Sequence, residues 1–371
     1  MTDQNSANAS ISKAQFRIRI IVLIAAFIVM ILISIAVGRY SVTLHDAVSI
    51  IRAQLIGAMI GLQDWINLHF HLLLDFHLSM PEKNWANGAD NVFLLIRLPR
   101  IGAALLVGAS LSIAGVVYQG MFRNPMVSPD ILGASTGAGF GAAMAILLGA
   151  SYFLITISSF SFGILAVALA YMTSRFGKMN ETLAMILAGM VISSLFSAGT
   201  SFVKLVADTQ EQLPAITYWL MGSLASIKVK DVGFILVPII IGMIPLIIFR
   251  WRLNLLTVED ETAKTMGINT KLLRLVVVLC ATLLTAASVS VSGMIGWVGL
   301  VIPHLCRMIF GYDYRRLIPC SILFGATFLL LVDDIARLVT AGELPLGILT
   351  SFVGAPLFLY LLVTGGRGMK R

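Results

Sequence analysis

Residues 20–37 form eighteen consecutive positions without a single charge. A helix needs about 20 mostly apolar residues to cross the hydrocarbon core of a bilayer. Comparable runs recur at 101–121, 131–149, 153–173, 182–203, 233–249, 275–292, 294–310, 317–332 and 345–363. The expected fold is therefore all-α, a polytopic membrane protein with about ten transmembrane helices. The first run is too long for a cleaved signal peptide, and no small-residue cleavage site follows Val37-Gly38. Composition agrees: 58% of the 371 residues are apolar and 12% charged, where a soluble domain carries about 25% charge. A soluble enzyme, a disordered chain and a nucleic-acid binder are excluded on this ground, despite the net charge of +8. The cysteines, Cys280, Cys306 and Cys320, lie in or beside apolar runs and indicate no disulfide framework.

Ten spans put both termini on the same side. With both in the cytoplasm, 17 of the 26 Lys and Arg fall inside and 9 outside. This is the positive-inside bias, and it accounts for the basic balance without nucleic acid. The chain then reads as one transmembrane domain over 1–371, with an extracytoplasmic segment at 38–100 and a cytoplasmic loop at 250–274. Almost no charge falls mid-span. Ion-coupled carriers usually keep ionisable residues there as relays, so the driving energy is expected to enter elsewhere.

Gly133, Gly137 and Gly141 repeat every four residues, as do Ala104, Gly108 and Ser112. Small residues at this spacing let helices approach closely in lipid. Tight packing is the favoured reading, a movable seam the alternative. In the fifth run Ser193, Ser197 and Ser201 share a helix face, with Ser194 and Thr200 beside them. Facing the bundle interior, this stripe suits a translocation path; interhelical hydrogen bonding explains it equally well. Pro303 and Gly354-Ala355-Pro356 are expected to interrupt their helices.

The loop 250–274 carries capping signals. Thr257 with Asp260 resembles a helix start, and Gly267 is placed to end that helix. Asn269 or Thr270 is placed to cap a second short helix. Together they form a docking knob. Catalytic motifs are mostly missing. Gly177-Lys178 lacks the rest of a phosphate-binding loop. Gly133-Ala134-Ser135-Thr136-Gly137 matches G-x-S-x-G without the strand that motif needs, which leaves an intramembrane serine protease using Ser135 and His304 as a remote alternative. His69, His71, Asp75 and His77 would share one face of a strand as metal ligands. Trp65, Leu68, Leu72 and Phe76 instead give a helical stripe on the membrane surface. The surface helix is favoured.

Several segments together resemble the FecCD-type permeases of bacterial ABC importers. They are Arg97-Leu98-Pro99-Arg100, RNPMVSPDILGASTGAG from Arg123, LAGM in the fifth run, YWLMGS from Tyr218, GMIGWVGLVIPHLCR from Gly293 and ELPLGILTSFVGAPLF from Glu343. The likeness runs from about residue 90 to the end, and segment 38–90 stands apart. It implies a multi-pass subunit of the bacterial plasma (inner) membrane, paired as a homodimer or with a homologous permease, with the path at the interface. It implies two ATP-binding-cassette ATPase subunits inside, which hold ATP and Mg, and a substrate-binding protein outside. The chain itself would hold no cofactor or metal and would not be an enzyme. The cargo would be a chelated metal, a ferric siderophore first, with haem or cobalamin as alternatives and molybdate occasionally.

The resemblance also implies residue roles. Glu261, Ala263 and Gly267 match the E-x-A-x-x-x-G core that seats in the ATPase, although Thr262 stands where alanine is usual. Arg123, Asn124 and Pro125 would make a second contact there. Arg97, Arg100 and Arg337 match arginines that pair with glutamates of the binding protein, for which guanidinium geometry is suited. Ser193, Ser194, Ser197, Thr200 and Ser201 would line the path, with Gly354 and Pro356 close by.

Overall fold

A backbone without water must satisfy its own hydrogen bonds, and a helix does so within one segment. The apolar runs accordingly fold as helices. The computed structural model describes residues 12–38, 40, 42–70, 79–176, 180–257, 265–266, 269–339 and 342–368, and all regular structure among them is helical. The helices are α1 (Lys13–Ala36), α2 (Leu44–Phe70), α3 (Ala89–Met121), α4 (Ala134–Leu147), α5 (Tyr152–Ser174) and α6 (Glu181–Val206). Then follow α7 (Gln212–Met221), α8 (Val229–Ile248), α9 (Thr270–Ser292), α10 (Val298–Phe310), α11 (Tyr314–Val339) and α12 (Leu346–Gly368). Each of the ten expected runs overlaps one of these helices. Six, namely α1, α3, α5, α6, α8 and α9, are by themselves long and apolar enough to cross a membrane. Helices α4 and α10 are shorter apolar helices, and α11 ends on Asp333, Asp334 and Arg337.

Helix α3 is the axis. Its most apolar window is 83% buried, against 11% for α1. Helices α9, α10 and α11 pack on it, α1 covers α11, and α4, α5 and α6 form a second group against α9. Close approach rests on glycine. A Cβ on Gly108 would strike the Gly325 carbonyl of α11, and one on Gly115 the Gly299 carbonyl of α10. On the other side Gly137 and Gly141 lie against the Phe162 and Ser158 carbonyls of α5, where a Cβ would come within 2.5 and 2.6 Å. The small-residue repeats are thus helix seams.

The prolines do not break their helices. Helix α10 runs through Pro303 and α12 through Pro356. Proline removes the N–H that would bond the carbonyl four residues back; for Pro303 that carbonyl is Gly299, the group pressed against Gly115. The real interruption precedes α10, where Gly293 and Trp297 have φ of 67° and 69°. Gly354 is explained by the Trp297 side chain, whose Cβ lies 2.5 Å from where its own Cβ would stand. Pro99 has a related effect: the turn before it widens to a π-helix over Val92–Arg97, in which the Leu98 N–H bonds to the Phe93 carbonyl.

Gly115→Ala is expected to destabilise the detergent-solubilised protein by about 1–3 kcal/mol, because the overpacked seam must open. Gly233→Ala, whose added Cβ meets nothing, is expected to be neutral or mildly stabilising, by up to about 1 kcal/mol. Thermal unfolding midpoints check both, and an unchanged midpoint for Gly115→Ala contradicts the proposed contact.

Candidate functional site

Charges gather where α1 and α11 end and α3 begins. Arg100 on α3 donates through Nε and Nη2 to Asp333 of α11 at 2.9–3.0 Å, and through Nη1 to both oxygens of Glu343 at 2.9 and 3.1 Å. Arg337 lies 3.4 Å from Asp333, one helical turn away, and also bonds Asp334 and, at 2.9 Å, the Ser34 hydroxyl of α1. That hydroxyl donates to Asp334 at 2.8 Å. Arg97 turns inward as well, donating to the carbonyls of Ile35 and, at 2.8 Å, Tyr40. The three arginines are thus buried in the chain rather than displayed on its surface. Their charges balance three carboxylates, which is how a buried ionic group avoids the cost of desolvation. Sequence reading missed Asp333, Asp334 and Glu343. It ended the ninth run at residue 332, whereas α11 continues to Val339. The signal available was the spacing of Asp333 and Arg337, four residues apart in a helical pattern.

Next to the cluster, three distant segments meet. The Leu346 N–H at the start of α12 donates to the Gly222 carbonyl at 2.8 Å, and the Ser223 N–H donates to the Ser292 carbonyl at 2.8 Å. Gly222 has a φ of 76°, and a Cβ there would stand 2.7 Å from the Met294 carbonyl oxygen. Beside this joint lies an open cleft of about 610 Å³, lined among others by Met221, Met294, Gly347, Ser351 and Phe352. The serine stripe does not face the interior of the chain. Ser194, Ser197 and Ser201 are exposed while Ile192, Phe196 and Val203 are buried. The physical reason is that α6 buries its apolar side on α4 and α5. Thr200 and Ser201 spend their hydroxyls on the carbonyls of Phe196 and Ser197. Ser193 lies at the edge, against Gly133. Gly354 is buried and Pro356 exposed on α12.

At the opposite end Arg123, Asn124 and Pro125 form an exposed turn after α3. Arg123 takes a φ of 51° and donates from Nε to the Leu256 carbonyl at 3.2 Å. The turn thereby touches the start of the 250–274 loop. Asn254 ties that start to the N-terminus of α11 by bonds with Asp313 and the Tyr314 N–H, each 3.0 Å. Glu261, Ala263 and Gly267 lie outside the described residues. The helix expected after Thr257 falls on residues outside the described ones; the Thr257 hydroxyl bonds back to the Asn254 carbonyl at 2.6 Å. Asn269 accepts the Leu272 N–H at 3.1 Å and caps α9 itself, which absorbs the expected second short helix.

Ser135 is engaged structurally. Its N–H donates to the Asp130 carboxylate at 2.6 Å, fixing the start of α4. Burial pushes the Asp130 carboxyl up to about 6, with the Ser135 bonds opposing. No hydrogen bond joins Ser135 to His304 among the described residues. The His69 ring stacks on Trp65 at 4.6 Å within α2, so residues up to Phe70 follow the helical reading; His71, Asp75 and His77 lie outside the described residues. Among the described residues no group of three or more His, Cys, Asp or Glu is placed to hold a metal ion.

The sequence profile of the FecCD transport family matches residues 26–364. It includes segment 38–90, which sequence reading had set apart. The molybdate import system permease protein MolB of Haemophilus influenzae is 42% identical over 305 residues, 78% of this chain and 90% of that protein. A probable iron chelatin transport system permease protein of Helicobacter pylori is 42% identical over 310 residues, 82% of this chain and 91% of that protein. Among solved structures, a metal-chelate type ABC transporter in an inward-facing conformation superposes with a TM-score of 0.78 at 37% identity, covering 94% of this chain and 99% of the other. The chain belongs to the FecCD transport family and is a permease of the ABC transporter class.

Asp333→Ala is expected to cost about 3–5 kcal/mol, since it leaves the buried Arg100 and Arg337 one carboxylate short. Lys83→Ala, which removes an exposed pair with Asp90, is expected to cost under about 1 kcal/mol. Thermal unfolding of the two variants side by side checks the contrast, and similar losses contradict it.

Proposed function

We propose that the chain is the membrane-spanning subunit of an ATP-binding-cassette importer for a metal chelate, a ferric chelate first. The observation that carries this reading is the exposed face of α6, where Ser194 and Ser197 offer hydroxyls and no charge. A chelate presents its metal already wrapped, so a path of weak hydrogen-bonders can pass it without gripping it. The face lies on the outside of one chain and needs a second, identical or homologous, to enclose it. The buried Arg100, Asp333, Asp334 and Arg337 are spent on one another and on Glu343 at one end of the bundle, which supports an energy source outside the chain. Two ATPase subunits carrying ATP and Mg would supply it, gripping Glu261, Ala263 and Gly267 together with the Arg123–Asn124–Pro125 turn. The bond from Arg123 to Leu256 supports treating the two as one surface.

In this reading all ten helices matching the apolar runs cross a bacterial inner membrane. Both termini are cytoplasmic, and the Arg97–Arg100–Arg337 end faces a binding protein outside. The cluster's burial means that its arginines act from beneath that surface. The likeness to a molybdate permease favours a second cargo, an oxyanion small enough for the same hydroxyl-lined path.

Uptake by proteoliposomes holding the complete transporter tests the reading. Radioactive iron bound to a siderophore is expected to accumulate with ATP, and molybdate to accumulate more slowly. Faster molybdate accumulation would reverse the order of cargoes. Gly267→Asp is expected to abolish ATP-driven uptake while the protein remains folded; normal uptake would remove that loop from the coupling path.

A further inference from the structure

Arg100 has two partners of different character. Asp333 is fully buried on α11, whereas the Glu343 side chain keeps 24% of its surface exposed. Glu343 takes a φ of 54°, a left-handed conformation that is unfavourable for an ordinary residue. It sits on the strap 342–345 that carries α12. Leu344 donates to the Ala336 carbonyl of α11 at 3.3 Å, and Leu346 donates to the Gly222 carbonyl at 2.8 Å. Three residues after Glu343 the chain enters α12, and Gly347 and Ser351 then line the cleft. One half-buried carboxylate thus links the charge cluster to the cleft helix.

We propose that Glu343 is an exchangeable latch: it holds the outer half of the Arg100 guanidinium until a carboxylate of a docking protein takes its place, and the exchange releases the strap and α12. The proposal rests on the reading that this end of the bundle receives an acidic partner. Charge balance motivates it. With Glu343 in place the three arginines and three carboxylates sum to zero, so an added acid finds no net attraction. An acid that replaces Glu343 restores the balance. The exchange trades one carboxylate on Arg100 for another, so the buried guanidinium is never left unpaired. A buried partner such as Asp333 does not exchange this way, since removing it leaves an unpaired charge.

The test uses the complete transporter in lipid, with Ser351→Cys as a reporter; the native cysteines are buried and do not compete. Maleimide labelling of the reporter is expected to rise several-fold in Glu343→Gln and to stay near the parent rate in Glu343→Asp, which keeps the charge and shows that the strap folds. Equal labelling in all three overturns the latch, whatever docks there. Binding of poly-L-glutamate is expected to tighten about fivefold in Glu343→Gln and to weaken as salt rises. Faster labelling without tighter binding overturns the acidic-partner reading on which the exchange rests.

Discussion

Two helices meet α3 at backbone distance, and they can do so only because glycine stands at the points of contact. In lipid the apolar side chains gain nothing by leaving one hydrocarbon surface for another, so association depends on close packing. Gly108 against Gly325 and Gly115 against Gly299 bring α11 and α10 to α3 at backbone distance. Everything at the two ends follows from this axis. It sets Arg100 beside Asp333 at one end and places the Arg123 turn beside Leu256 at the other. The Gly299 carbonyl, freed by Pro303, sits in the seam itself, so the proline serves packing and leaves the helix intact.

The charge cluster illustrates how a membrane protein keeps ionic groups at the edge of the apolar region. Each guanidinium is met by carboxylates, a hydroxyl or backbone carbonyls, and the three positive and three negative charges cancel. Placed inside this balance, the arginines cannot act as freely displayed docking groups. In the latch proposed above, their influence on a partner would pass through the more exposed member, Glu343. The strap that bears Glu343 also begins α12, so a change at the surface reaches the cleft within one turn of helix.

Much of this was legible in the sequence. Uncharged runs located the helices, and four-residue glycine spacing located the seams. Asn269 was legible as a cap, although it caps α9 itself and not a separate short helix. Other features were hidden for physical reasons. A hydropathy window stops at the first charge, so it cut α11 at residue 332 and lost the carboxylates that pair with Arg100. Period 3.6 places Ser194, Ser197 and Ser201 on one side of α6 but does not say which side meets the protein; the side bearing Ala184, Ala188, Gly189, Ile192 and Phe196 packs inward. Pro303 and Pro356 were read as breaks because sequence cannot show that a freed carbonyl finds room against a neighbouring helix. The joint of Gly222, Met294 and Leu346 unites residues more than fifty positions apart and had no local signature.

On the proposed function this chain is a gated passage without an engine of its own. Cargo accumulation against a gradient in sealed vesicles, with and without the nucleotide-hydrolysing subunits, tests this. Uphill accumulation is expected only when those subunits and ATP are present. Concentrative uptake by the permease alone, under an imposed proton or sodium gradient, would contradict it.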